Sequence, residues 1–321
     1  LLNVAVVGSG KSTNDHLSTW SRIQNVNVVG VVQVESIENE QVSEGYKHKL
    51  VEHVEDLKSL DVDVVDLCIP VNRRTDIIRQ MYRQGLHFFC ESPLASTLEE
   101  ASAIIKECAE KNVHLYVGNT LRFSPEYADA RNQVCNGDIG KPGVIRLSSG
   151  MPHPGGQIDI FTGLGIPDFD WLTWTFGDVE RVMAKHVKRE RLDGSPIEFA
   201  LVSLRMKDNT FAHIELSWAK AKKETSFELT GDKGMLTHNS KDSYPINVQL
   251  STSYEEPKPV ENILAKTALQ RQLEYVAAWA KTQNKPVVAA DDALKAIQIA
   301  EAGRQSAKTG QPISLLEVLS I

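Results

Sequence analysis

The sequence predicts an α/β fold in two parts: a doubly wound parallel sheet, then a second α/β region whose sheet is mostly antiparallel. Three observations predict it. The chain has 321 residues, more than one ordinary core accommodates, so two domains are expected. From Asn3 to about Asn119, short β-branched runs alternate with helical patterns, and strands separated by helices join by crossovers into a parallel sheet. Beyond about residue 145 the rhythm becomes strand, turn, strand, which implies antiparallel pairing with helices on one face. The expected domains are therefore residues 1–120 and 121–321.

In chain order, the strand-like runs of the first part are Val4–Val7, Val26–Val34, Val62–Ile69, His87–Cys90 and His114–Val117. Between them, Asp76–Gln84 and Leu98–Lys111 carry apolar residues at helix spacing, as in Ala101, Ile104, Ile105 and Cys108. In the second part, Glu198–Lys220 reads as two strands around Asp208 and Asn209, and Ser226–Ser240 repeats the device around Gly231 and Gly234. Helical patterns return at Leu269–Lys281 and Asp292–Ala307.

Hydrophobic residues make up 41% and charged residues 24% of the chain, the balance of a soluble globular protein. A formal net charge of −7 provides no basic field for nucleic acid or an anionic membrane. A small molecule is the expected ligand. No apolar stretch approaches the roughly 20 residues of a membrane-spanning helix, and no basic leader pattern precedes Val4. Cys68, Cys90, Cys108 and Cys135 lack CxxC spacing and the histidines lack HExxH spacing. Neither a disulfide framework nor a metal site is expected, and the cytoplasm is the expected compartment.

The stretch GSGKST, residues 8–13, follows the first strand pattern. A Walker A loop requires G-x-x-x-x-G-K-[ST], which would place its first glycine at Ala5, inside the strand. The nucleotide-triphosphatase reading fails on that spacing. The dinucleotide fingerprint G-x-G-x-x-G fits better: Gly8 makes the tight turn, Gly10 admits backbone to a pyrophosphate, and Thr13 stands at the third position. Ser9, Lys11 and Ser12 complete the expected phosphate turn. An acid at the end of the second strand holds the ribose in such folds; here Gln33 stands at that place and Glu35 two residues on. NAD or NADP is the expected cofactor, and the lack of a nearby Arg or Lys favours NAD. Asn72 and Asn119 end strands or open loops on the ligand edge of the sheet, so they join the expected cofactor contacts, with Pro70 beside Asn72.

The Gly8 turn, DVDVVDLCIPVNRRTDIIRQMYRQGLHFFCESPLAST (61–97), LRFSPEY (121–127), GDIGKPGVIRL (137–147), LTGDKGML (229–236) and AIQIAEAGRQSAKTGQPISL (296–315) together resemble the Gfo/Idh/MocA oxidoreductases. The resemblance spans nearly the whole chain in order. It implies an N-terminal Rossmann domain and a C-terminal α/β domain with a large open sheet, often a homodimer or homotetramer interface.

The chain departs from that family at its chemistry. Where the family reads E-K-P, this chain has Glu91-Ser92-Pro93, so the resemblance implies Glu91 as a cofactor contact; Ser92 offers a hydroxyl but no positive charge to stabilise an alkoxide. Aligning the family's D-x-G-x-H-x-x-D with GLGIPDFD (163–170) puts Gly163 at the first aspartate and Pro167 at the histidine. Arg74 takes the place of a histidine that often follows the fourth strand. Three readings follow. Asp168 or Asp170 handles the proton, with His153 and Ser92 as further candidates, although both aspartates also stand where helix caps do. Alternatively the substrate is an imine or conjugated system needing no protein acid. The third reading is a dinucleotide-binding regulator without turnover. Arg122 and Trp171 are the expected substrate contacts, with Phe169, Leu172, Thr173 and Phe176 forming the buried face of the intervening helix. The basic group Lys185, Lys188, Arg189 and Arg191 reads as one solvated strand end.

Overall fold

The computed structural model describes residues 1–34, 42–155, 158–242, 247–250, 266–282 and 290–315. Two compact units form: Leu1–Phe123 with Lys266–Leu294, and Ser124–Ala265 with Lys295–Ile321.

The first unit is built on a parallel sheet of β1 (Leu2–Gly8), β2 (Val26–Val32), β3 (Leu50–Val51), β4 (Val64–Cys68), β5 (Phe88–Glu91) and β6 (Leu115–Gly118). Its strand order is β3-β2-β1-β4-β5-β6, with every pairing parallel. The crossovers α1 (Gly10–Trp20), α2 (Val71–Tyr82) and α3 (Leu98–Glu110) connect successive strands. The chain leaves β1 toward β2 and later returns to β4 on the other side. That reversal opens the crevice in which doubly wound sheets bind ligands. α2 begins at Val71 rather than Asp76, because its first turn, Val71-Asn72-Arg73-Arg74, is polar and shows no apolar period.

A helix from late in the chain closes this unit. In α6 (Ala268–Thr282), Leu273, Val276 and Trp279 share one buried cluster with Val4, Val6, Leu17, Trp20, Phe89 and Tyr116. Burial of each such large side chain contributes about 1.5–3 kcal/mol, so α6 is an integral part of the first core.

The second unit opens with α4 (Pro125–Asn136) and carries β7 (Pro142–Pro152), α5 (Ile166–Phe176), β8 (Val179–Glu190), β9 (Pro196–Met206), β10 (Phe211–Ser217), β11 (Ala219–Gly231), β12 (Gly234–Asn239), β13 (Asn247–Leu250), most of α7 (Ala290–Thr309) and β14 (Ile313–Ser314). The sheet order is β13-β12-β11-β7-β10-β9-β8-β14, antiparallel except for the parallel pair β7 and β10. Strand alternation separates the faces. Ala200, Val202, Leu204, Ile214 and Leu216 are buried, whereas Phe199, Leu201 and Phe211 are exposed on the opposite side. A π-helical turn at Phe161–Gly165 runs directly into α5.

Candidate functional site

In the first unit, two glycines shape the turn between β1 and α1. A Cβ at Gly8 would lie 2.6 Å from Thr13 Oγ1 and closer still to the Cys68 carbonyl oxygen. Only glycine permits that approach of β4 and α1. Gly10 opens the helix at φ +83°, a left-handed value that also favours glycine. Ser9 caps α1 without a side-chain bond, and the first turn holds no acid. Such an end suits an anion, through the first-turn amides and the positive end of the helix dipole. Lys11 and Ser12 are exposed beside it, while Thr13 is buried and fills the third glycine's place.

The other expected cofactor residues are distributed along the same strand ends. Gln33 is exposed just beyond β2, and Pro70 and Asn72 are exposed at the start of α2. Glu35 lies outside the described residues. Asn119 is buried, and its Oδ1 accepts the Leu121 amide at 3.0 Å, so the side chain also shapes its own turn. Glu91 ends β5, and its carboxylate accepts from Gln272 on α6. Burial pushes the Glu91 carboxyl above its usual range.

Ser92 follows through a cis bond to Pro93, and its amide donates to the Gly118 carbonyl at 2.8 Å. Arg74 holds this segment from below. Its buried guanidinium donates to the carbonyls of Glu91 and Pro93, and to that of Ile69 at 3.0 Å. The residue at the family's histidine position therefore joins the ends of β4 and β5. Arg122, an expected substrate contact, is buried and ion-paired with Asp292 at 3.3 Å.

The second unit corrects one expectation plainly. Trp171 does not lie off the core face of α5: it is fully buried, stacks on Phe227, and donates from Nε1 to the Tyr127 carbonyl at 3.1 Å. α5 buries Ile166, Asp168, Phe169, Asp170, Trp171, Leu172 and Thr173, so it is enclosed on most sides rather than along one stripe. Phe176, expected inside, is only half-buried. Trp174 is half-buried beneath the Arg131 guanidinium, 4.0 Å from the ring centre.

Asp168 and Asp170 are both buried. Burial raises the Asp168 carboxyl from 3.8 to about 6, against the opposing influence of the Ser149 hydroxyl and the Lys223 ammonium. Its surroundings are polar on the sheet side, where Ser149 of β7 pairs with Thr225 of β11. A carboxyl with this affinity for a proton can exchange it near neutral pH.

His153 is committed elsewhere. Its Nδ1 accepts the Gly155 amide at 3.0 Å, its Nε2 faces Glu198 at 3.7 Å, and its ring packs edge-on against Trp218. Glu198 is also bound by His186 at 2.8 Å and Lys188 at 2.9 Å. Burial opposes its ionisation, but Lys188 and His186 outweigh burial and hold it below the usual carboxylate range. Lys188 thus serves a buried acid, which the reading of a purely solvated basic strand end did not contain. Glu198 itself was missed; its alternation with Ala200 and Val202 on the inward face was the available signal.

At Gly163, the position of the family's first aspartate, a Cβ would meet Trp218 Cζ2 and Ile158 Cδ1 at 3.0 Å. The space an aspartate would need is already filled. Pro167 occupies the first turn of α5, where a proline fits because it has no amide hydrogen to leave unpaired. On the opposite face of the sheet, a concavity of about 500 Å³ lies between Arg146, His213, Glu215, Glu228 and His238, and it contains none of the expected site residues.

Residues 2–119 match the family model described as an oxidoreductase family with an NAD-binding Rossmann fold. Residues 127–237 match that of the GFO/IDH/MocA C-terminal domain. Among relatives, the chain is 26% identical to the uncharacterized oxidoreductase YrbE of Bacillus subtilis, over 97% of this chain and 95% of that one. It is 25% identical to a myo-inositol 2-dehydrogenase of Thermotoga maritima, over 99% and 100%. A crystal structure of a myo-inositol 2-dehydrogenase from Lactobacillus plantarum superimposes with a TM-score of 0.81 at 21% identity, covering 98% of this chain and 99% of that one. With the parallel six-stranded sheet, the glycine turn at its switch point and the second, mostly antiparallel sheet, these matches place the chain in the Gfo/Idh/MocA family of NAD-binding oxidoreductases.

Proposed function

We propose that the protein oxidises or reduces a sugar-like or other small polar substrate with NAD, and that Asp168 handles the proton. The observation that carries this reading is the buried Asp168 carboxyl, whose proton affinity is raised to about 6 in the unit that follows the dinucleotide-binding one. The cofactor fits the residues present: the α1 amides and Gly10 would receive its pyrophosphate, and the closeness of Gly8 to Cys68 explains the required glycine. Bound there, the nicotinamide would accept or supply the hydride. Gln33, neutral and exposed beyond β2, favours the ribose hydroxyls of NAD over a 2′-phosphate. The Ser149 hydroxyl on β7, which acts on the Asp168 carboxyl, would relay the proton. The inositol dehydrogenases among the relatives support a polyol as the first substrate to test.

The test is NADH formation with a panel of polyols and sugars. Oxidation should rise with pH through about 6, the value raised by burial at Asp168, and Asp168→Asn should lower kcat by about 10²–10⁴-fold with NAD affinity unchanged. Full activity in Asp168→Asn would dismiss the assignment.

A second reading, a dinucleotide-binding regulator without turnover, draws on the packing of Trp218 and Ile158 against Gly163. Tight NAD binding with no hydride transfer to any polyol, aldose or imine would favour it. Assembly into a homodimer or homotetramer would use the sheet face that exposes Phe199, Leu201 and Phe211. Among the described residues no helix is long and apolar enough to cross a membrane, and the cytoplasm is the proposed compartment.

A further inference from the structure

Beneath the glycine turn, α1 and β4 bring together three side chains of metal-binding type that are far apart in sequence. His16 Nδ1 lies 2.8 Å from Asp66 Oδ2, and Cys68 Sγ lies 3.6 Å from Asp66 Oδ1. One donor atom from each residue falls within 4.8 Å of the others. The sequence shows no metal spacing, because the donors come from a helix and a strand 50 residues away. Ligands held about 2.0–2.3 Å from one zinc ion stand roughly 3–3.7 Å apart. The separation between Cys68 Sγ and Asp66 Oδ1 already has that length, while His16 Nδ1 bonds the other carboxylate oxygen, Oδ2, and would exchange that hydrogen bond for the ion.

The surroundings are those of a built site. Asp66 is fully buried and His16 nearly so. Trp20 Nε1 donates to Asp66 Oδ2 at 2.7 Å, the kind of outer bond that orients a carboxylate ligand. Glu91 adds a further carboxyl that acts electrostatically on this group from β5, while Arg74 acts on Glu91. Cys68 ends β4 and is half-buried.

We propose that His16, Asp66 and Cys68 form a site for a single divalent ion of zinc type, independent of the dinucleotide and of the reaction proposed above. The donor set of one imidazole, one carboxylate and one thiolate suits a borderline-soft ion and not magnesium or calcium. Binding takes the thiol to its thiolate and requires a neutral imidazole, so protons are released as the ion enters. Affinity therefore rises with pH. Because the Cys68 carbonyl abuts Gly8 and His16 lies on the helix that Gly10 opens, the ion would also tie together the strand and helix that form the dinucleotide turn.

The experiment uses the full chain without NAD, titrated at pH 8 with Zn²⁺ against a chromogenic chelator and, separately, with Co²⁺. Wild type should bind one ion per chain, with release of protons, and show the near-ultraviolet charge-transfer absorption of a thiolate on Co²⁺. Cys68→Ala should lose that absorption and at least about tenfold in zinc affinity, with its far-ultraviolet circular dichroism unchanged. Asp66→Asn, which still accepts from Trp20, should weaken binding while the cobalt–thiolate band persists at saturation. A wild-type chain that binds no zinc at micromolar concentration would leave the cluster a buried ion pair and overturn the proposal. So would binding that Cys68→Ala and Asp66→Asn do not alter. Neither result depends on turnover, so failure here is distinct from failure of the oxidoreductase reading.

Discussion

At the residue scale, the expected site divides into residues proposed to face a ligand and residues that the fold has absorbed. Gly10 belongs to the first group, at the helix start a pyrophosphate would approach, whereas Gly8 lets β4 and α1 close on the turn. Replacing Gly10 by Glu should abolish NAD(H) binding in calorimetry, since the new side chain and its charge occupy the phosphate's place; unchanged affinity would sink the cofactor assignment. Asp168 carries a stability signature of its own. Its folded-state affinity for a proton is raised from 3.8 to about 6, so the fold favours the protonated acid. Stability is full below the unfolded value and falls as pH rises toward 6, by about 3 kcal/mol in all. Urea melts of Asp168→Asn should show that limb flattened and a more stable protein at pH 8. His87 works in the opposite direction. Burial, with His114 beside it, lowers its affinity for a proton, and its Nδ1 accepts the His114 amide at 3.0 Å. Its share of stability is present above 6.5 and is lost as pH falls below it. In His87→Asn, which retains an acceptor, that acid limb should shrink.

At the scale of elements, α5 shows how a helix can be recognised and its faces still misassigned. Its existence follows from an apolar, aromatic run opened by Pro167 and Asp168. The expectation of one buried stripe failed because α5 is covered on several sides: Phe169 packs toward Leu216, while Trp171 packs on Tyr127 and Phe227. Trp171→Ala should therefore cost about 3–5 kcal/mol in thermal unfolding, a core penalty. A loss of substrate affinity at full stability would return Trp171 to the binding site. The π-helical turn before α5 was not legible either, since one extra residue in a turn leaves no periodic mark. The strands were legible nearly to the residue wherever β-branched runs were bounded by turn residues, as at β9 and β10 around Asp208 and Asn209. β3 has two residues and β14 two, too few for any alternation to register.

At the scale of the molecule, the second unit's sheet leaves Phe199, Leu201 and Phe211 exposed on strands whose alternate residues are buried. This apolar face is the one on which the proposed assembly rests. Wild type should elute as a dimer or larger assembly by light scattering, and Leu201→Glu with Phe211→Glu should yield monomers that keep their circular dichroism. A monomeric wild type would remove the interface from the proposal.

The sequence by itself determined the alternation of strands and helices in the first part, the class of each sheet, the glycine turn and the residues missing from the usual chemistry. All of these are local: periodicity, turn residues and short motifs are properties of neighbours in the chain. Only the tertiary structure decided that α6 returns to complete the first core, that Arg74 joins two strand ends and that Trp218 fills the space beside Gly163. It alone gathered His16, Asp66 and Cys68 beneath the turn. Such facts depend on contacts between distant segments, and close packing selects those by shape and charge that no spacing along the chain records.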